Sequence, residues 1–342
     1  MVLDNIVFPL ADALDGTRSR KRLVANVRDA ILRTGFFGVQ GLMHLTPERV
    51  AETRELSDKV FALPEEEKLA LEFRDRGGQR GMNVTFGVRK GAQHRDLKEF
   101  WHHGPNRTPD DPMYQDCGDN ISVPQVPGFI AAMDDLHAGF VEEMDLPLEL
   151  ISEGFGYHPR FLPDLMKGGD DLVRDLNYLP FQDDTPEGTM WTGAHTDSCI
   201  VTGLIPGILE GEAEDDSLEL QLRNGIWQYV PIPRDTMMIN IGDFLSRMTC
   251  GRYSSTRHRV GPPRKKGIGR RSTVCFRHPR REVMLPRLNL NKAIFGPPIG
   301  DWEEVCAGYA LFDVLCANNA HKGPNPYLKT GRDPSVPPLM TR

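Results

Sequence analysis

The chain has 342 residues, 39% hydrophobic and 26% charged, and 41 Lys+Arg against 48 Asp+Glu leave a formal net charge of −7 at pH 7. That balance argues against bulk electrostatic binding of nucleic acid, and no stretch approaches the ~20 apolar residues of a membrane span. The six cysteines are scattered with no CxxC pair, and the start MVLDNIVFPLADALDG lacks the basic and apolar regions of a secretory signal, so a cytoplasmic protein with no evident obligatory protein partner is expected.

From the N-terminus, Ser19 to Arg33 places Leu23, Val24, Val27, Ala30 and Ile31 on one stripe and stops at Gly35, which predicts a helix. Phe36 to Val39 then reads as a short strand. Thr46 and Pro47 offer an N-cap and a first-turn proline for a second helix running towards Leu63. From Gly77 to Asn120 the chain is rich in Gly, Asp, Pro and His without a clean period, and reads as loops with short strands. Helical spacing returns from Val126 through Phe129, Ile130, Met133, Leu136 and Phe140, with Pro147 expected to interrupt it.

Beyond residue 170 the period falls to two. Leu172, Arg174, Leu176 and Tyr178 alternate with Val173, Asp175 and Asn177. Leu218 to Arg223 and Ile226 to Ile232 flank Asn224-Gly225, a hairpin signal with a two-residue turn. Thr236–Ile241 and Ser272–Phe276 read as further strands, and Asp301 with Glu304 as a capping pair for a helix through Cys316. The pattern is mainly β with flanking helices, most simply a jelly roll. It divides into an N-terminal region of helices and loops (1–120), a helical connector (121–169), a jelly-roll core (170–285) and a C-terminal helix and tail (286–342).

The segment WTGAHTDSC carries His195 and Asp197, whose side chains share one side of an extended chain, and STRHRV adds His258 beyond several strands. Two imidazoles and a carboxylate form the facial triad of non-haem Fe(II) oxygenases, whereas structural zinc favours four ligands and often thiolates. Taken alone, H-x-D with a distant His is a weak signal, because chance matches are common and a hydrogen-bonded surface pair gives the same pattern. Arg270 and Ser272 share the parity of one strand, and such a pair holds a carboxylate well. Phe276, on the same parity, is pocket wall or plain core. Arg174 shares the face of Leu176 and Tyr178, where it either grips an acidic group of a substrate or meets solvent. His102 and His103 read as packing or pocket-rim residues, Cys199 as core, and the eleven basic residues from Arg252 to Arg281 as a charged surface.

The segments DLNYLP, GAHTD, NGIWQYVPI, MINIGDFL, STRHRV and RRSTVCFRHP, in this order, resemble the isopenicillin N synthase-like family of Fe(II)/2-oxoglutarate-dependent oxygenases. FALPEEEK and RDLKEFWHHG resemble the family's N-terminal region, so the likeness runs from about Arg22 to Pro286. The resemblance implies a distorted double-stranded β-helix (jelly roll) with helical N- and C-terminal extensions. It implies His195, Asp197 and His258 as Fe(II) ligands and catalytic centre, with Arg270, Ser272, Asn177 and Tyr178 binding 2-oxoglutarate. Leu179 stands where the plant-type pattern has a second Tyr, and PPRKKGIG looks like a longer turn. The C-terminal helix is implied to help close the barrel mouth, bringing Tyr309 or Phe312 to the substrate.

The implied activity is oxidation of a C–H bond of a small-molecule substrate using O2, with release of succinate and CO2. Hydroxylation is the default, and desaturation or cyclisation is the variation. Two rivals remain at this level: an Fe(II) oxidase of the same fold that does without 2-oxoglutarate, and a non-catalytic jelly-roll binding protein.

Overall fold

The first apolar stripe becomes a helix, Gly16–Thr34, which buries Leu23, Val27, Ala30 and Ile31 in the computed structural model. It ends on Gly35 at φ 73°, left-handed backbone that glycine adopts without strain. A Cβ here would also lie 2.4 Å from the Thr256 hydroxyl. The structure describes residues 5–72, 79–84, 94–209, 217–233, 235–263, 266–317, 325–329 and 331–332. Parts of the 77–120 loop region, Arg264 and Lys265 of the PPRKKGIG turn, and the tail beyond 332 lie outside the described residues.

In chain order the barrel strands are β1 (Val7–Pro9), β2 (Phe36–Gln40), β3 (Gly81–Asn83), β4 (Lys98–His103), β5 (Leu172–Tyr178) and β6 (Thr192–His195). They continue as β7 (Val201–Leu209), β8 (Leu218–Gln221), β9 (Trp227–Tyr229), β10 (Thr236–Ile241), β11 (His258–Val260) and β12 (Arg270–Arg277). The larger sheet has the order β1-β2-β10-β7-β12-β5-β4-β3 and the smaller β6-β11-β8-β9. Apart from the parallel pair β1 and β2, the pairings are antiparallel. The inner faces enclose one cavity lined from both sheets, as a jelly roll requires. The outer face of the large sheet is covered by the helix Phe129–Gly154: Met144 lies where a Cβ on Gly203 would sit, and Arg277 Nη1 donates to Val141 O at 2.8 Å.

Four expectations need correction. Pro147 does not interrupt its helix, which runs from Phe129 to Gly154. The lost hydrogen bond costs about 3 kcal/mol, while burying Met144, Leu148 and Ile151 in the core contributes about 1.5–3 kcal/mol each. The Asn224-Gly225 turn is not one of the two-residue types, which need positive φ at the first central residue; only the second, Gly225, has it, at 84°. Gly225 N donates to Leu222 O and Leu222 N to Ile226 O, a three-residue loop closed by a left-handed glycine.

The third correction concerns Asp301 and Glu304, which cap nothing. Asp301 pairs with Arg287 at 2.5 Å, Glu304 accepts from Arg287 N, and the helix starts later, at Ala307. The fourth concerns the basic stretch, which is surface only in part: Arg257 and Lys266 are exposed and Arg259, Arg271 and Arg280 half-buried, but four arginines point inward. Arg252, Arg270, Arg277 and Arg281 are buried, and the last two meet Asp171 and Asp170.

Candidate active site

His195 ends β6 and His258 begins β11, and the antiparallel register makes them cross-strand partners. Their ring centres are 4.2 Å apart. Each ring is oriented by its own backbone: Nδ1 of His195 meets Gly193 O at 3.0 Å and Nδ1 of His258 meets Thr256 O at 3.1 Å. A carbonyl only accepts, so Nδ1 carries the hydrogen and each Nε2 presents a lone pair. Thr256 is itself fixed, its hydroxyl donating to Thr34 O at 2.7 Å, while Phe36 stands edge-on to His258. The N-terminal helix and β2 thereby set the second imidazole.

Asp197 lies in the loop after β6, and the start of the short helix Asp243–Met248 holds that loop: Asp243 N donates to Asp197 O and Phe244 N to Cys199 O. Gly242 is needed for this approach, since a Cβ there would lie 2.2 Å from Cys199 O. The Asp197 carboxylate is 3.5 Å from His195 Nε2 through Oδ1 and 3.7 Å from His258 Nε2 through Oδ2. Oδ2 also accepts from the Thr202 hydroxyl at 2.7 Å and the Asn240 amide at 2.8 Å. Three donor atoms, one from each residue, lie within 4.8 Å of one another. Two imidazole lone pairs and an acid oxygen facing one point repel unless a cation sits among them. The donor set fits the 2-His-1-carboxylate triad of Fe(II). Thr202 and Asn240 escaped the sequence reading; a lone amide in the otherwise apolar run Met237 to Ile241 was their one signal.

Across the cavity, β12 and β5 are in the register Arg270↔Tyr178, Ser272↔Leu176 and Val274↔Arg174. Arg270, Ser272, Phe276, Tyr178 and Arg174 therefore all line the cavity with the triad. Arg270 is 1% exposed and its guanidinium lies 4.8 Å from the Tyr178 ring centre. Ser272 Oγ is buried and meets no hydrogen-bond partner among the described residues, a polar atom waiting for a ligand group. A dicarboxylate that reaches from the triad to Arg270 would satisfy it. Lys98, unforeseen, joins the wall and pairs with Asp96 at 3.1 Å.

Asn177 is a further correction. It sits on the opposite face of β5, donates to Glu99 at 2.9 Å and is absent from the cavity wall. Strand alternation had already placed it with Val173 and Asp175. Leu179 faces solvent at 37% exposure. His102 accepts from Arg174 Nε, and His103 meets Asp134 at 2.7 Å, so both serve packing networks. Burial pushes the Cys199 thiol well above its ordinary pKa, as for a core residue. Phe312 is fully buried against Tyr327, away from this cavity, and Tyr309 lines a separate outer groove beside Asp243.

Residues 7–125 match the family described as non-haem dioxygenase in morphine synthesis N-terminal, and residues 171–279 match the 2OG-Fe(II) oxygenase superfamily. The chain is 29% identical to clavatol oxidase of Penicillium crustosum, over 70% of this chain and 75% of that protein. It is 28% identical to a 2-oxoglutarate-dependent dioxygenase of Trichoderma harzianum, over 75% and 80%. Among solved structures, a 2OG-Fe(II) oxygenase family protein from Caulobacter crescentus superposes with a TM-score of 0.78 at 28% identity, covering 91% of this chain and 97% of that one. The chain belongs to the isopenicillin N synthase-like family of oxygenases and is a 2-oxoglutarate-dependent dioxygenase that uses Fe(II), 2-oxoglutarate and O2.

Proposed function

We propose that this dioxygenase hydroxylates a C–H bond of a small organic metabolite at the centre formed by His195, Asp197 and His258, with Arg270, Ser272 and Tyr178 receiving 2-oxoglutarate. The observation that carries the reading is convergence: three metal-type donors and a buried guanidinium–hydroxyl pair face one cavity from opposite sheets. When bound, ferrous iron and 2-oxoglutarate supply the oxidising chemistry with O2, and the co-substrate leaves as succinate and CO2.

The chain's own part is geometry. The backbone carbonyls of Gly193 and Thr256 hold the Nδ1 sides of the two rings and turn both Nε2 atoms towards the centre, and Asn240 with Thr202 turn Asp197. Arg270 and Ser272 fix the far carboxylate of the co-substrate, and Tyr178 supports the guanidinium face. Leu176, Leu204 and Val274 exclude water from the space beside the triad. Phe276 and Arg174 form the wall that meets the substrate. All six cysteines are free thiols, which suits a reducing, cytoplasmic setting.

The test is anaerobic addition of Fe(II) and 2-oxoglutarate, which should produce a visible charge-transfer band, followed by O2 with substrate. Succinate should then appear in step with oxidised product. Oxidised product without succinate would instead mark an oxidase of the same fold.

A further inference from the structure

The cavity wall carries a second guanidinium besides that of Arg270. Arg174 lies opposite Val274, four residues along β12 from Arg270. At ~3.3 Å per residue the two strand positions stand about 13 Å apart. The Arg174 guanidinium is gripped between two rings, its carbon 4.6 Å from the Phe100 centre and 4.8 Å from the Phe276 centre. Its Nε donates to His102 Nε2 at 2.7 Å. An accepting Nε2 means a neutral His102 with its hydrogen on Nδ1, so the positive charge of this pair belongs to Arg174 alone. The rings and the imidazole together fix the plane of the fork before any ligand arrives.

The surroundings narrow what such a fork would hold. Lys98 lines the wall too, but at the opposite end, cross-strand from Tyr178, where Asp96 offsets its charge. Beside Arg174 the lining is largely apolar, Leu176, Leu204, Val274 and Phe276, with the Ser272 hydroxyl opposite Leu176 and Thr202 opposite Phe276. One planar cation set in an apolar wall matches one planar anion at the end of an apolar skeleton. We propose that the primary substrate is a small hydrophobic monocarboxylate whose carboxylate is held by Arg174, with His102 as the positioning residue. The carboxylate end then lies at the Arg174 end of the cavity, away from Arg270. The inference rests on Arg270 and Ser272 being the 2-oxoglutarate anchor.

The experiment is anaerobic calorimetry on the Fe(II)- and 2-oxoglutarate-loaded enzyme, titrated with phenylacetate, octanoate and their methyl esters. At least one acid should bind about ten-fold or more tighter than its ester, as expected for a desolvated charge pair. Arg174→Gln should erase that preference, and Arg174→Lys, which keeps a cation should the Gln variant not fold, should retain only part of it. His102→Gln, which still offers an acceptor, should keep the preference, whereas His102→Leu should lose it.

Acids binding no better than esters in the wild type, or an undiminished preference in both Arg174 variants, overturns the proposal. The anchor is checked separately. If Arg270→Ala leaves 2-oxoglutarate affinity unchanged, it is the assignment of Arg270 that fails.

Discussion

The Asn240 side chain donates to Asp197 Oδ2 at 2.8 Å, and the Thr202 hydroxyl reaches the same oxygen at 2.7 Å. Two donors on one carboxylate oxygen occupy its lone pairs and leave Oδ1, the oxygen nearer His195, for a metal. Outer partners of this kind are worth about 10–100-fold in metal affinity. Asn240→Ala should weaken Fe(II) binding by roughly that factor while the barrel still folds. Ferrous titration of the variant checks it, and an unaltered affinity would remove Asn240 from the support of the site.

Replacing His195 or Asp197 with Ala should abolish turnover through loss of iron, because two donors do not hold a labile divalent ion in place. Neither residue sits in the apolar core cluster, so a cooperative thermal melt should persist. Full activity in either variant would exclude that residue from the ligand set.

Arg270→Ala should raise the 2-oxoglutarate requirement steeply, since stripping one partner from a buried charge pair costs ~2–5 kcal/mol. Ser272→Ala removes a single hydrogen bond to that carboxylate, leaves the guanidinium in place and should cost less, ~1.5–3 kcal/mol. Steady-state KM for 2-oxoglutarate reads both. An equal effect of the two substitutions would contradict the division of labour between charge and hydroxyl.

Burial pushes His103 down to about 4 against the opposing pull of Asp134, and burial lowers His137 and His278 as well. Unfolded, these imidazoles titrate near their ordinary value of about 6.5. Between there and about 4 the unfolded chain binds protons that the folded one refuses. Stability is therefore full above the unfolded value and falls with acidification across this window, by about 1.4 kcal/mol per pH unit for His103, with His137 and His278 acting in the same direction. Urea unfolding at neutral and mildly acidic pH should show the slope, and His103→Gln should flatten it. Stability that holds constant over that range would mean the rings are hydrated.

Asp170 joins Arg80 at 2.9 Å and Arg281 at 2.7 Å, all three buried. Burial alone would raise the Asp170 pKa, but the two guanidiniums outweigh it and hold the carboxyl well below its ordinary range. Asp170→Asn strips Arg80 of this carboxylate and leaves Arg281 only the more distant Asp116, at 3.9 Å, and should cost about 3–5 kcal/mol of stability. A smaller loss in chemical denaturation would show that water reaches the cluster.

Period-two alternation on β5 and β12 was enough to put Arg174, Tyr178, Arg270, Ser272 and Phe276 on one wall, because parity in a strand leaves no freedom. The resemblance added Asn177, and alternation, which had placed it with Val173 and Asp175, prevailed. Tertiary effects were invisible to local pattern. Pro147 advertises a missing N–H but not the core burial that outweighs it, and the run of arginines hides acids that lie far off in sequence, such as Asp170 for Arg281 and Asp175 for Arg271. Asp301 and Glu304 had the spacing of a cap, yet Arg287 claims both. Thr202 and Asn240 act only through Asp197, and no spacing rule links three residues on separate segments.

The N-terminal stretch supplies both flanks of the large sheet, β1 with β2 at one side and β3 with β4 at the other. Its own Phe36 stands against His258, and Lys98 joins the cavity wall. During synthesis β2 leaves the ribosome long before its ladder partner β10 exists, and His258 emerges later still. The strand must wait with an open edge, a state prone to wrong pairing. The same delay has a protective side. A nascent or truncated chain that stops short of His258 cannot gather the three donors, so the machinery for oxidation is armed only once synthesis has passed that residue.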